Sequence, residues 1–196
     1  MQLATPEAFA RDPARVHEFY NLRRRNLRAA APNAAHAALV RLAAGTELFL
    51  CTQNIDDLHE RAGSPQVHHM HGELLTARCG WCGRREACRG DLSVETICEG
   101  CWQTGAMRPD VVWFGEMPIG LDRIEAALTA ADLFVAVGTS GAVYPAAGYV
   151  AQARAAGIPT VELNLAPSDN AGVFDDARYG PATEVVPAFV ADLLAR

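Results

Sequence analysis

The 196-residue sequence contains no uncharged apolar run of about 18 residues, no surplus of positive charge, and no pair of its 16 glycines standing two apart. Each absence excludes something. Without such an apolar run no helix is predicted to cross a bilayer, and residues 1–20 lack the apolar centre of an export signal. The protein is therefore expected to be soluble and cytoplasmic. A formal net charge of −6 and a pI near 5.5 provide no field to gather nucleic acid or an anionic membrane surface, so neither is expected as a partner. No Gly-x-Gly turn for a diphosphate is present. What is there is a chain half hydrophobic and one-fifth charged, enough for one main core with a small appended module.

Along the chain, apolar segments alternate between helical and strand periods. Asp12-Pro13 is a cap and first helical residue for a helix running to about Arg28, and Asn33 caps a second that stops near Gly45. "ELFLCT" (47–52) reads as a short strand. "LDRIEAALTAA" (121–131) has helical spacing, "DLFVAVG" (132–138) is a buried strand, and "YPAAGYVAQARAAG" (144–157) is a helix with Gly157 just past its end. "PTVELNL" (159–165) is another buried strand, "TEVV" (183–186) one more, and "VPAFVADLLAR" (186–196) a closing helix. Apolar strands separated by helices imply a parallel sheet built from βαβ units, an α/β fold. Residues 74–110 break the rhythm and hold five of the six cysteines, which marks an inserted module.

Cys79-x2-Cys82 and Cys98-x2-Cys101 lie fifteen residues apart. Each pair places two thiolates on a tight knuckle, and two knuckles complete a closed tetrahedral site that suits one structural Zn²⁺. Cys88 and Cys51 are left over, Cys51 as a small buried hydrophobe. Four sulfurs saturate the metal, so the three histidines of "HHMHGEL" (68–74) are not needed as ligands. That leaves catalysis or packing for them. Nearby, a strand ends in Gln53, Asn54 and Asp56, a second in Gly138, Thr139 and Ser140, and a third in Asn164. The carboxyl edge of an open α/β sheet is where ligands bind.

Together "TQNIDDLHERAG", "HMHGEL", the four cysteines, "VVWFGEMP", "GTSGAVYPAAG", "VELNL" and "YGPA" resemble the sirtuins, NAD-dependent protein-lysine deacylases, in the family's own order over about residues 5–190. The resemblance implies a Rossmann-like parallel sheet (residues 1–73 and 111–196, first βα unit missing) with an inserted zinc-binding module (74–110). It implies NAD as co-substrate and acyl-lysine proteins or peptides as partners. His71 matches the general base that takes a proton from the nicotinamide ribose, whereas His68 and His69 match nothing and are assigned to packing. Gln53, Asn54, Ile55 and Asp56 correspond to the nicotinamide and ribose pocket. Gly138, Thr139 and Ser140 correspond to the phosphate and ribose wall. Asn164, Leu165, Ala166 and Ala182 correspond to the adenosine end. Val112, Trp113, Phe114, Gly115 and Glu116, with Gly141, Val143 and Tyr144, match two strands between which an acyl-lysine peptide is held by β-augmentation.

Tyr20 and Arg23, three apart on one helix face, are similar to the pair of the sirtuin subclass that prefers succinyl- and malonyl-lysine. A phenol and a guanidinium fork converging on one point would hold a carboxylate. Acetyl-lysine remains a further substrate on this reading. The sequence departs from the family in one place. The family's opening strand and glycine-rich turn, which embrace the NAD diphosphate, have no match, and Met1 falls just after them. A start assigned too late is the account favoured, and residues 1–196 alone are expected to turn over near background. The alternative from another class is a non-catalytic module that binds acyl-lysine peptides or a partner. A zinc-ribbon nucleic-acid binder is argued against by the charge and by the few aromatics around the knuckles.

Overall fold

A computed structural model describes residues 3–195 and divides them into two compact units, each with its own core. The first comprises residues up to Ala31, Leu50–His59 and Val67–Gly120; the second comprises Pro32–Phe49, Glu60–Gln66 and the chain from Leu121 onward. Among the described residues no helix is long and apolar enough to cross a membrane.

The first unit opens with two helices, α1 (Pro6–Arg11) and α2 (Pro13–Ala29), each with proline in its first turn. Asp12 caps α2 as its sequence predicts, accepting the Arg15 N–H at 3.1 Å. Val16, Tyr20 and Leu27 form the buried stripe of α2 and pack with Ala8, Leu74, Val111 and Trp113. The predicted strand 47–52 shortens to β1 (Cys51–Thr52), which pairs in parallel with β2 (His68–His69). Three antiparallel strands follow: β3 (Gly72–Cys79) lies between β4 (Arg85–Ala87) and β5 (Met107–Val111). The register of β3 against β5 shifts between Glu73 and Ala77. Gly72 faces Val111 across that pair at φ +80°, where any Cβ would collide with the Asp110 backbone. That close approach is why His71 must be followed by glycine.

In the second unit Asn33 caps α3 (Ala34–Gly45) through a reciprocal pair of bonds with His36. The parallel sheet runs β6 (Phe134–Val137), β7 (Thr160–Asn164), β8 (Asp176–Tyr179), with β7 in the middle. Val161 and Leu163 alternate along β7 and pack with Ala38 and Leu42 of α3 and with Val186, Phe189 and Val190 of α7 (Ala182–Leu194). The remaining helices are α4 (Leu58–Ala62), α5 (Leu121–Thr129) and α6 (Tyr149–Ala155); α6 packs on β6 and β7, and Gly157 follows it at φ +76° as expected of a helix end.

One expectation is corrected, and one strand is added. "TEVV" (183–186) is the start of α7 and not a strand. Val186, Phe189 and Val190 recur at three and four residues, so one helical face buries all three, and this packing outweighs the β-branched preference of the valines. A further strand, β8, carries no sequence signal of its own: in "DARY" Ala177 and Tyr179 are the only apolar residues, too few to mark a strand. The Asp175 carboxylate secures the start of the neighbouring strand, accepting the Thr160 N–H at 3.0 Å and its hydroxyl at 2.9 Å.

Candidate functional site

The four cysteine sulfurs of the two knuckles lie within 4.8 Å of one another, with Cys79 3.7 Å from Cys101 and Cys82 3.7 Å from Cys98. Each knuckle turns its backbone N–H groups onto sulfur. Trp81 and Cys82 point at Cys79 Sγ (3.4 and 3.5 Å), and Gly100 points at Cys98 Sγ (3.4 Å). The Cys82 N–H leads in pulling the Cys79 thiol down to about 6, which favours the thiolate a metal needs. A closed set of four thiolates with no carboxylate or imidazole fits Zn²⁺ in a structural role. Cys88 is buried outside the cluster, its Sγ against the Gly90 carbonyl at 3.5 Å, and burial pushes the Cys51 thiol up to about 11.

The three histidines each turn a ring nitrogen to a backbone carbonyl. His68 Nε2 meets Ile119 O at 2.9 Å, His69 Nδ1 lies at the long distance of 3.4 Å from Asn54 O, and His71 Nδ1 meets Gln53 O at 3.0 Å. A carbonyl can only accept, so the His71 proton sits on Nδ1, and Nε2 of the neutral ring keeps its lone pair. His71 is half-buried, and its own carbonyl accepts the Val112 N–H at 2.8 Å. Gln53, Asn54, Ile55 and Asp56 leave the carboxyl end of β1 beside it. Ile55 O accepts the Leu74 N–H at 2.7 Å, and Asp56 Oδ1 accepts the Leu58 N–H at 3.1 Å, opening α4.

In the second unit Asn164 ends β7, and Gly138 and Ala182 follow the carboxyl ends of the strands on either side of it, β6 and β8. Gly138 has φ +62° and donates its N–H to Leu163 O at 2.9 Å. Asn164 Nδ2 donates to Thr139 O at 2.8 Å, its Oδ1 accepts the Leu165 N–H at 2.9 Å, and its carbonyl accepts the Gly180 N–H at 2.9 Å. One asparagine thus ties the turns after β6, β7 and β8. Ser140 Oγ accepts the Ala142 N–H at 3.3 Å, and Leu165, Ala166 and Ala182 are exposed. Below them the buried Glu162 accepts the Ser168 N–H at 3.2 Å and the Tyr179 hydroxyl at 2.9 Å. Burial would raise this carboxyl, but those donors more than offset it and hold it below its ordinary value.

The segments expected as peptide-binding strands are irregular here. β5 ends at Val111, Gly115 turns at φ +90°, and Gly141, Val143 and Tyr144 lie in a loop, the last two exposed. Free sheet edges without a partner strand need not hold ladder geometry, so the pattern of apolar residues overstated their regularity. Phe114 is exposed, whereas Trp113 is buried and held by a polar cluster. Its backbone N–H donates to Glu116 Oε2 at 2.8 Å, and Arg108 grips both Glu116 oxygens at 2.6 and 2.9 Å. That fork keeps Glu116 ionised: burial raises its pKa, and the bonds from Arg108 and Trp113 bring it below its ordinary value. On α2, Tyr20 is buried while Arg23 is exposed, its guanidinium 4.6 Å over the Phe19 ring.

A family model described as the Sir2 family matches residues 1–145. This chain belongs to the Sir2 family. A relative named NAD-dependent protein deacylase from Caulobacter vibrioides is 60% identical over 200 residues, covering 100% of this chain and 84% of the relative. A protein of the same name from Escherichia coli K12 is 54% identical over 196 residues, covering 98% and 70%. Among solved structures, a Sir2 homologue in complex with NAD superposes at TM-score 0.90 and 36% identity, over 98% of this chain and 77% of that one. Sir2 bound to acetylated peptide superposes at 0.82 and 27%, over 98% and 82%. The Rossmann-like α/β fold is thus that of Sir2 proteins. Arg108, which anchors Glu116 in this Sir2 chain, carried no signal in the sequence: an isolated arginine before proline matches no motif.

Proposed function

We propose that the chain removes acyl groups from protein lysines with NAD consumed as co-substrate, preferring succinyl and malonyl groups and accepting acetyl. The observation that carries the chemistry is His71, whose Nδ1–H is spent on Gln53 O and whose Nε2 is left basic. NAD would supply the ribosyl carbon that accepts the acyl oxygen as nicotinamide leaves; with one water consumed, the amide C–N bond breaks, the lysine amine is released and the acyl group ends as an ester on ADP-ribose. His71 Nε2 takes the proton of the ribose hydroxyl that must become nucleophilic, and Gln53 O holds the ring in that tautomer. Gln53, Asn54, Ile55 and Asp56 line the nicotinamide and ribose side on this reading. Gly138, Thr139, Ser140, Asn164, Leu165, Ala166 and Ala182 receive the phosphate, ribose and adenosine groups at the carboxyl edge of the parallel sheet, the usual place for such ligands. Zinc on Cys79, Cys82, Cys98 and Cys101 is structural and belongs to the module 74–110.

The substrate reading rests on Tyr20 and Arg23. Tyr20 is buried in the first unit and Arg23, three residues on along α2, is exposed, so an acyl carboxylate reaching Tyr20 would meet an O–H donor and pass a cation. Residues 112–116 and 141–144 would pair with the peptide backbone. The test is nicotinamide release with succinyl- and acetyl-lysine peptides, in the 196-residue chain and in one extended upstream. His71→Tyr should abolish release at unchanged zinc content, and His68→Ala should be mild. Arg23→Met should lose about 1.5–3 kcal/mol on the succinyl peptide only. Comparable losses from His71→Tyr and His68→Ala would mean a structural cluster. Equal losses on both peptides from Arg23→Met would remove the acidic-acyl preference.

A further inference from the structure

The Tyr20 hydroxyl, which the substrate reading needs as a donor, already has a partner. Trp113 Nε1 donates to it at 2.9 Å, and the two residues are 4% and 2% exposed. An indole N–H can only donate, so it occupies a lone pair of the phenol oxygen and turns the phenol's own proton elsewhere. The indole is held in place from several sides. The Arg108 guanidinium lies 3.3 Å over its ring, the Phe9 ring is 5.2 Å away, and Glu116 binds the Trp113 backbone while gripped by Arg108. Arg108 Nη2 also donates to Val111 O at 2.8 Å, so the guanidinium under the indole is fixed by both side chain and backbone.

We propose that Trp113 is a specificity-determining residue: its indole N–H fixes Tyr20 as a hydrogen-bond donor and so selects acyl groups that end in a carboxylate. This rests on the reading of Tyr20 and Arg23 as the pair that holds the acyl end. A hydroxyl with both faces open serves donors and acceptors alike. One whose acceptor side is taken can offer only its proton, and a carboxylate only accepts. The methyl end of an acetyl group does neither and gains nothing from the arrangement. Arg23 then supplies charge, Tyr20 direction, and Arg108 with Glu116 are positioning residues that act through Trp113.

The test is equilibrium binding, which needs no turnover. Two fluorescent peptides identical but for succinyl- or acetyl-lysine are titrated with the 196-residue chain, and the ratio of their Kd values is read. Trp113→Phe keeps an aromatic ring over Arg108 and removes the N–H. It should shift the ratio about five- to tenfold against the succinyl peptide, the loss expected for one buried hydrogen bond. In a Tyr20→Phe background the same change should leave the ratio where it is, because no hydroxyl remains to be fixed; a purely structural role would move it in both backgrounds. A readout on the unsubstituted chain stands beside this. Of the three tryptophans, Trp81 and Trp102 are 77% and 76% exposed, so the Trp113 indole N–H is the one protected from solvent exchange. Its NMR signal should shift with the succinyl peptide and stay with the acetyl peptide. An unmoved signal, or a Trp113→Phe shift equal for both peptides, overturns the proposal. If Tyr20→Phe itself leaves the ratio unchanged, the carboxylate-holding pair fails, and the role given to Trp113 fails with it.

Discussion

The two units are held together by different physics. In the second, Leu42, Val161, Leu163, Val186 and Val190 form an apolar core between helices and a parallel sheet, and Glu162 and Thr160 are its buried polar residues, each answered by hydrogen bonds. The first unit buries His17, Asn21, Arg24, Thr52, Arg108 and Asp110. Arg24 donates to Leu74 O at 3.0 Å, to Asn21 Oδ1 at 2.7 Å and to Gly90 O at 3.1 Å, while Asn21 exchanges bonds with Leu92 at 2.8 and 2.9 Å. These bonds attach α2, the helix of Tyr20 and Arg23, to the loop between the two cysteine knuckles. Apolar burial suffices for one unit; the other depends on forked cations and sulfur ligands whose partners must all be present.

The widest separation should come from the metal. Cys98→Ser should release zinc and with it a binding free energy of about 10–16 kcal/mol, collapsing hydrogen-exchange protection in β3 and β5. Protection in β6 and β7 should survive, since the side chains of Val161 and Leu163 are packed in an apolar cluster that contains no zinc ligand. Equal loss in both units would erase the contrast, and retention of zinc would remove the thiolate assignment. The reciprocal change is smaller. Leu163→Ala, at a side chain 1% exposed, should lower the stability of the second unit by about 2–5 kcal/mol in urea unfolding, with zinc content unchanged.

The smallest effect sharpens the comparison by pH. Among the described residues neither ring nitrogen of His17 has a hydrogen-bond partner, and burial first, then the Arg24 charge, hold its pKa below the ordinary value of about 6.5. The folded ring stays neutral where the unfolded one takes up a proton. Its contribution is therefore complete above about pH 6.5 and is lost as pH falls toward the folded pKa. His17→Leu should flatten the decline in stability of the first unit between neutral and mildly acid pH, measured by denaturant midpoints. An unchanged slope would mean that His17 is hydrated in the folded chain.

Legibility followed the same division. Asp12, Asn33 and Gly157 were read correctly as helix ends because caps are settled by bonds across three or four residues. β6 and β7 were read from their apolar runs, whereas β8 and the opening of α7 were not, because "DARY" and "TEVV" owe their states to neighbours supplied by the fold. Arg24 is silent in the sequence for a related reason. A buried guanidinium looks like a surface one until its acceptors arrive from elsewhere in the chain, here 50 residues away for Leu74 and 66 for Gly90.

By itself, then, the sequence determined what short spacing can determine. Paired cysteines with two residues between them make knuckles whatever surrounds them, Asp12 and Asn33 cap the helices that follow them, and apolar runs separated by helical spacing demand a parallel sheet. Only the tertiary structure decided which proton His71 carries and what the Tyr20 hydroxyl can offer. The first depends on a carbonyl 18 residues away and the second on an indole 93 residues away. A donor or an acceptor acquires its role from the group opposite it, and over such distances the path of the folded chain, not the local order of residues, chooses that group.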